Sequence, residues 1–165
     1  MSQTAYGQTH ALANAVAAFV NSGAELFCTP CVAEVRFAML TELTDIPKLT
    51  EAASVDVIPD IEISERTGGL APVFASSYAV HVFIQQHVGK GTAEEARCGL
   101  LAQLRSEILE GLKRTRFDLA TAVRPVNAVF CTGSKNADKG LYDLHRLMQF
   151  NVFESDTIVT FRAAV

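Results

Sequence analysis

The first candidate for chemistry is a pair of cysteines separated by two residues, Cys28-Thr29-Pro30-Cys31. This spacing suits a zinc site or a redox pair. Structural zinc takes four ligands, however, and the other two cysteines, Cys98 and Cys131, have no neighbouring partner in the sequence. A redox pair of the thioredoxin type opens a helix, whereas the residues after Cys31 alternate like a strand. We therefore expect four reduced, half-buried thiols and no metal ligand among them.

A glycine–lysine turn, Gly89-Lys90-Gly91-Thr92, lies between an apolar segment and a helical pattern. A phosphate-binding loop has the form Gly-x-x-x-x-Gly-Lys-Ser/Thr, because consecutive backbone N–H groups must curl around the anion. Here Ile84 and Gln85 stand where the upstream glycine belongs. The pattern instead predicts a turn, followed by a capping box of Thr92 and Glu95 at the start of the helix. No nucleotide or other cofactor is expected.

The remaining polar motifs do not combine into a catalytic site. Neither His81 nor His87 lies beside a suitably spaced acid, and the Gly-x-Ser-x-Gly motif of serine hydrolases does not occur. We therefore predict a protein that is not an enzyme and has no catalytic residues. The basic cluster of Lys113, Arg114 and Arg116 is either a solvated helix end, where cations offset the helix dipole, or a contact for an acidic partner.

Composition and charge limit the range of partners. The 165 residues predict one domain, with residues 1–8 as a flexible tail. The formal net charge of −4 gives no concentrated basic face, so sequence-specific binding of nucleic acid is not expected. The sequence contains no run of eighteen apolar residues, so no membrane span is expected. The start, MSQTAYGQTH, lacks the pattern of a secretory signal, so we expect synthesis in a cytoplasm without export.

Hydrophobic periodicity divides the chain into helices and strands. On the best strand, Tyr78, Val80, Val82 and Ile84 share one face. Short links between successive strands favour antiparallel pairing. The sequence thus predicts an α+β fold of two layers, a mixed and mostly antiparallel sheet with two main amphipathic helices packed on one face. The predicted elements are helices at Thr9–Ser22 and Thr92–Arg114, and strands at Phe27–Met39, 55–63, 78–85, Ala122–Cys131 and the C-terminal end.

Two polar segments are predicted to be loops. The first, RTGGLAPVFAS (residues 66–76), contains two glycines and a proline. The second, TGSKNADKG (residues 132–140), offers no apolar face to bury within the domain. Long surface loops are frequently functional, so both are candidates for contacts with partners.

Taken in order, these features resemble the small tail terminator proteins of tailed bacteriophages, also called tail completion or neck proteins. The resemblance covers the chain from about residue 10 to its end. It lies in the first amphipathic helix, the extended segment after it, the valine-rich strand, the long strand before the glycine turn, the long helix and the final strand. The corresponding stretches are ALANAVAAFV, VRFAMLTELTDIPKL, VDVIPDIEISERT, YAVHVFIQQHVGKG, EEARCGLLAQLRSEILEGL and FESDTIVTFRA.

The resemblance implies a structural protein of the virion tail or neck, assembled in the host cytoplasm. Such proteins form a ring, usually of six copies, at the head-proximal end of the tail tube. The ring stops tube polymerisation and joins the tail to the head, so the implied partners are other copies, the tail tube protein and a head-side connector or stopper protein. The two loops and the basic cluster supply the candidate interface residues: Arg66, Thr67, Lys113, Arg114, Arg116, Lys135, Asn136, Asp138 and Lys139.

Other interpretations remain beside this one. A stopper or adaptor protein at the head–tail joint would have a similar role, whereas tail-tube subunits are usually β-sandwich-like barrels, which the long helix argues against. Outside the virion, the alternative is a small cytoplasmic α+β enzyme or ligand-binding domain that uses His81, Cys28 or Cys31. An RNA-binding ferredoxin-like domain should expose aromatic side chains between basic ones on its central strands, and the strand at 78–85 does not have that pattern.

Overall fold

A computed structural model of the chain describes residues 7–38, 42–67, 73–119, 127–137 and 140–163. Short 3-10 turns lie at Ala24–Leu26 and Leu43–Asp45. The helices and strands, in chain order, are α1 (Gly7–Gly23), β1 (Cys31–Val35), β2 (Ala53–Thr67), β3 (Val73–His87), α2 (Thr92–Lys113), β4 (Arg116–Leu119), β5 (Asn127–Asn136), α3 (Leu144–Phe150) and β6 (Val152–Ala163).

The strands form one six-stranded sheet in the order β1-β2-β3-β6-β5-β4. Only β1 and β2 run parallel, and every other neighbouring pair is antiparallel. The last strand, β6, is inserted between β3 and β5, and this central position explains why most of its side chains are buried. The predicted α+β class with a mixed, mostly antiparallel sheet is confirmed.

The two long helices cover one face of this sheet, as predicted. Along α2, Leu104 and Ile108 are completely buried, and they share one apolar core with Val80 and Val82 of β3. Leu100, which has the same helical spacing in the sequence, is 37% exposed. Leu101, three residues before Leu104, is completely buried and begins the inward stripe, whereas Leu100 lies at the edge of the buried side of the helix.

In the region of β4 and β5, the structure differs from the sequence prediction. The run TGSKN, predicted to begin a loop, is extended and belongs to β5. Its polar residues gave no strand signal, but Lys135 pairs with Ile158 of β6, which supplies the neighbouring apolar surface. A bulge between Cys131 and Gly133 interrupts the register. Strand β4 was not predicted, and the start of the predicted strand at Ala122–Cys131 lies outside the described residues.

Both described ends of the segment predicted as the first loop are strands. Residues 66–67 extend β2, and residues 73–76 extend β3, paired directly with each other. Strand β1, by contrast, is shorter than the predicted Phe27–Met39 and covers Cys31–Val35. Backbone pairing across the hairpin explains the difference at residues 66–76, since two strands can stabilise each other without an alternating apolar pattern.

Helix boundaries differ from the prediction in two places. Gln8 is buried within α1, so residues 7 and 8 are not part of a flexible tail. At α2, the residue before the helix is Gly91 with a φ of 72°, and no side chain caps it, so the predicted capping box of Thr92 and Glu95 is wrong. A positive φ of this size favours glycine over any residue with a Cβ.

Helix α3 was not predicted from the sequence, but local residues explain where it begins and ends. The side chain of Asp143 accepts a hydrogen bond from the backbone N–H of Arg146 at 3.1 Å, as an N-cap residue should. Asn151 ends the helix in the left-handed conformation with a φ of 52°. Leu147 faces inward and is buried. Among the helices of the described residues, none is both long and apolar enough to cross a bilayer.

Candidate assembly surface

The sheet has a helix face, packed against α1 and α2, and an open face on its other side. Residues paired across neighbouring strands lie on the same face, so the sheet register defines both. The helix face carries Val57, Val82 and Thr157 in one cross-strand row. The open face carries the alternating residues in between, and its central row is Ile58, His81 and Ile158.

His81 lies between two carboxylates on the open face. Its Nδ1 is 2.8 Å from Oδ1 of Asp156, and its Nε2 is 3.2 Å from Oδ2 of Asp60. Only the doubly protonated ring can donate to both oxygens. The three residues come from β6, β3 and the irregular part of β2, so the contact joins three strands. This corrects the statement that His81 has no suitably placed acid, because the sheet brings together residues far apart in sequence.

Beside His81, the open face holds further paired charges. Asp56 is buried, and its Oδ1 accepts hydrogen bonds from Arg36 at 2.9 Å and from Ser54 at 3.2 Å. Burial raises the pKa of Asp56, although the Arg36 guanidinium acts in the opposite direction. Arg36 also contacts Glu34 at 2.7 Å. These charges are thus mostly neutralised within the domain.

A similar cluster lies one row further along the sheet. Arg146 of α3 donates to Oε1 of Glu154 from Nε and Nη2, at 3.0 and 2.8 Å. Gln85 of β3 donates to the same oxygen at 3.0 Å. The Arg146 guanidinium also lies 5.2 Å from the ring centroid of Phe150. This network attaches α3 to the end of β6 and leaves little of the Glu154 carboxylate for a ligand.

Past His81, the open face forms a shallow groove of about 210 Å³ between the irregular part of β2 and β5. Ala79 and Ile158 line its floor, while Asp60, Ile61 and Lys135 stand around it. The lining is mostly apolar, with one carboxylate and one ammonium group at the sides. Such a groove can accept a small apolar side chain of another protein.

At the far end of the open face, Arg116, Phe130 and Arg162 form one cross-strand row on β4, β5 and β6. All three side chains are exposed, and Phe130 is 45% exposed despite its size. Arg116 contacts Asp118 at 3.0 Å. Arginine and aromatic residues are enriched at protein interfaces, and they contribute a large share of binding energy there.

The structure brings only some of the predicted interface residues together. Lys113 and Arg114 lie at the end of α2, and Arg116 follows at the start of β4, close to this row. Lys135 and Asn136 lie on β5 and not in a loop; Lys135 lines the groove, while Asn136 accepts a hydrogen bond from Arg105 on the helix face. Arg66 and Thr67 end β2, where only the backbone is described, and Asp138 and Lys139 lie outside the described residues.

Phe130 and Arg162 were missed by the sequence analysis. Phe130 stands in an apolar run, VNAVF, and Arg162 follows a strand pattern, so neither residue is unusual in the sequence. Their proximity to Arg116 depends on β6 entering the sheet between β3 and β5. Periodicity gives the face of each strand but not the order of strands, and so it could not have identified this row.

The cysteines are not placed as a redox or nucleophilic pair. All four are free thiols. Burial raises the pKa of Cys31 to about 11, and burial together with Glu107 raises the pKa of Cys28 to about 11 as well. Both are therefore protonated at neutral pH, and a protonated thiol is a poor nucleophile. Cys28 lies against α2 through Leu100 and Glu107, on the side of the sheet opposite His81.

Two arginines of α2 are held between that helix and the sheet. Arg97 donates to Oε1 of Gln86 at 2.6 Å and to Oγ1 of Thr29 at 2.7 Å. Arg105 donates to Oγ1 of Thr157 at 2.9 Å. Burial lowers the pKa of both arginines. Their partners are uncharged, so these contacts fix the helix on the sheet.

Comparison with known proteins adds no family assignment. No model of a known protein family matches the chain, and no curated protein matches it either. Within the ranges that the structure describes, no three histidine, cysteine or acidic side chains are grouped so that they could hold a metal ion. The candidate functional surfaces are therefore the open face, the end of α2 and the β2–β3 hairpin.

Proposed function

We propose that the protein is a tail terminator: a structural protein of a phage virion that forms a ring on the head-proximal end of the tail tube. In this role it stops tube polymerisation and joins the tail to a head-side connector or stopper protein. The support from sequence is the ordered resemblance described above. The observation that carries the proposal is the long β2–β3 hairpin, because it offers extended backbone to another protein.

One edge of this hairpin is open over ten residues. Strand β1 pairs with β2 only from Ala53 to Val57, and no other described strand pairs with residues 58–67 on that side. Val57 accepts a hydrogen bond from Arg36 on the β1 side. The bulge between Pro59 and Glu62 shifts the alternation by one residue. Beyond the bulge, the backbone N–H and C=O groups of Glu62, Ser64 and Arg66 point away from β3. The residues between them use their own N–H and C=O groups to pair with β3.

The hairpin also extends beyond its pairing with β6. Pairing between β3 and β6 begins at Ser77, so residues 64–67 and 73–76 pair only with each other. Four residue pairs at about 3.3 Å per residue give a projection of roughly 13 Å. Open strand edges invite pairing with other chains, and in an assembled ring such an edge is a natural point of contact.

Exposed apolar side chains give further support for a role in assembly. Three lie on the open face or its rim, Val32, Ile61 and Phe130, and a separate group surrounds α3. Single exposed apolar residues are normal on any surface, whereas clustered ones indicate interaction sites. The large exposed apolar residues are Leu26, Val32, Phe37, Leu49, Ile61, Leu100, Phe130, Leu141, Leu144, Met148 and Phe150.

Two measurements test the proposal directly. Electron microscopy of the purified protein, alone and mixed with tail tubes, should show rings, free or at one tube end. When added to tube protein during polymerisation, the protein should shorten the tubes in proportion to its concentration. A discrete monomer that neither binds tube ends nor changes tube length would contradict the proposal. Binding to the connector but not to tubes would point to a stopper protein instead.

A shortened hairpin tests the observation on which the proposal rests. Residues 64–76 would be replaced by Asn-Gly, which closes a two-residue turn between the paired residues Ile63 and Ser77. Since the deleted residues that are described pair only with each other, the domain should still fold. We expect an unchanged circular dichroism spectrum but loss of ring formation or tube binding. Normal assembly by this variant would show that the hairpin is not needed for ring formation or tube binding.

A further inference from the structure

Four exposed carboxylates and the half-buried Glu94 lie at one end of the molecule. His87, at the end of β3, donates from its backbone N–H to the carbonyl oxygen of Pro47 at 2.8 Å, which places the 42–51 segment at this end of the sheet. Helix α2 begins only five residues later, at Thr92. We define the acidic end as Glu42, Asp45, Glu51, Glu94 and Glu95. The same region also contains two lysines, Lys48 and Lys90.

Helix α3 lies at the same end and adds apolar surface. The backbone N–H of Val88 donates to the carbonyl oxygen of Asn151, the residue that ends α3, at 2.8 Å. Met148 is 77% exposed and Leu144 is 56% exposed, one helical turn apart. The acidic end thus combines carboxylates with an exposed apolar ridge.

The opposite end of the molecule is basic. Helix α2 ends there at Lys113, followed by Arg114, and the row of Arg116, Phe130 and Arg162 lies beside it. Glu110 contacts Lys113 at 3.3 Å and Asp118 contacts Arg116 at 3.0 Å, which leaves two of the four cations without a described ion pair. We call these four cations and Phe130 the basic end. It pairs positive charge with an exposed aromatic ring.

The two ends are separated by the length of α2, whose 22 residues span about 33 Å. They are complementary in charge, and each presents exposed apolar surface. A contact between two unlike surfaces of the same chain is heterologous, and it generates a closed ring when the rotation between successive copies closes. An isologous dimer built on either end alone, in contrast, would place like charges against each other.

We propose that the basic end of one copy docks on the acidic end of the next, so that this contact closes the ring. Arg116 and Arg162 then face Glu42 and Asp45 of the neighbouring copy, and Phe130 packs near the Leu144–Met148 ridge. This inference rests on the proposed ring, and names the surfaces that form it. Opposite charges at the contact also favour the correct orientation and speed association.

Charge reversal at each end provides the test. A basic-end variant, Arg116→Glu with Arg162→Glu, and an acidic-end variant, Glu42→Lys with Asp45→Lys, should each weaken self-association by about tenfold or more, since attraction becomes repulsion. Mixed in equal amounts, the two variants should assemble again in alternation, because every contact then joins opposite charges. A chain with all four substitutions should assemble alone. Sedimentation velocity and native mass spectrometry measure each species.

A matched control keeps the test specific. Glu25→Lys reverses one exposed charge in the turn between α1 and β1, which belongs to neither end as defined above, and it should assemble like the unmodified protein. Recovery in the mixture shows that both variants are folded. If both variants assemble normally while the unmodified protein forms rings, this inference is wrong and the ring stands. If the mixture and the four-substitution chain both fail to recover, the ends do not meet. If the unmodified protein forms no ring, even on tubes, the proposed function itself fails.

Discussion

The two faces of strand β3 are stabilised by different kinds of interaction. Toward the helices, Val80, Val82 and Ile84 are fully or almost fully buried in an apolar core. Toward the open face, the alternating positions hold His81 and Gln85, which bond to carboxylates on β6. The helix face is stabilised by removing apolar area from water. The open face is organised by paired charges and hydrogen bonds, whose net contribution to stability is smaller.

This difference indicates a division of roles. A core of close-packed apolar side chains fixes the fold but offers nothing to a partner. Paired polar groups fix the direction of side chains at a surface, and they leave apolar positions such as Ile158 and Phe130 available for contact. Substitutions on the helix face should therefore act on unfolding, and those at the exposed positions of the open face should act mainly on assembly.

The largest expected effect comes from the core. Leu104→Ala removes a completely buried side chain, and we expect a loss of about 2–5 kcal/mol in the free energy of unfolding. Leu100→Ala, the same change one turn earlier at an exposed position, should cost well under half of that. Urea denaturation of both variants measures the difference. Equal losses would mean that α2 is rotated relative to the packing described here.

A second effect on the helix face depends on pH. Burial raises the pKa of Cys31 from 9.0 to about 11, so the folded state holds this proton where the unfolded chain releases it. The resulting stabilisation is complete below about pH 9 and is lost as the pH rises through about 11, which amounts to roughly 2–3 kcal/mol. Stability of Cys31→Ala should fall less steeply over this range. Parallel urea titrations at pH 8, 9.5 and 10.5 measure it, and identical slopes would show that the thiol is not buried.

Sequence patterns identified the helix face far better than the open face. The predicted helix at Thr92–Arg114 and the alternation along Tyr78–Ile84 both appear in the structure, because burial imposes the periods of helix and strand on the sequence. Residues 66–67, 73–76 and 132–136, which the sequence predicts to be loops, belong to strands. Their strand conformation depends on pairing with neighbours, and their own residues give no such period.

The candidate surface could be predicted only in part. The basic residues after α2 were identified because a cluster in sequence remains a cluster in space. The Asp60–His81–Asp156 contact and the Arg116–Phe130–Arg162 row join three strands each, and the strand order that unites them includes a long-range insertion of β6. Composition and spacing carry no information about that insertion, so His81 was judged to have no acidic neighbour.

On the open face itself, the contacts of His81 allow a matched pair of substitutions. Asp156→Asn weakens a contact to a nearly buried carboxylate, whose side chain is 7% exposed. We expect it to cost about 1–3 kcal/mol, as for hydrogen bonds to buried charged groups. Asp60→Asn changes the other, more exposed partner, and should cost less than about 1 kcal/mol. Thermal or urea unfolding of both variants ranks them, and the reverse order would mean that Asp60 is the main partner of His81.

The smallest effect on stability, and the clearest separation between folding and assembly, is expected at Lys135 and Lys139. Lys135 is exposed beside the groove, and Lys139 lies outside the described residues. Exposed substitutions usually change stability by less than about 0.5 kcal/mol, so replacing both lysines by glutamate should leave thermal unfolding almost unchanged. If these lysines meet acidic groups on a tail or head partner, the double variant should reduce tail-to-head joining in an assembly assay. The loss should resemble the effect of raised salt on the unmodified protein, because both weaken attraction between exposed charges. Glu25→Lys, a charge reversal in the turn between α1 and β1, is the control and should join normally. Normal joining by the double variant would show that residues 132–140 are only a solvated edge of the domain.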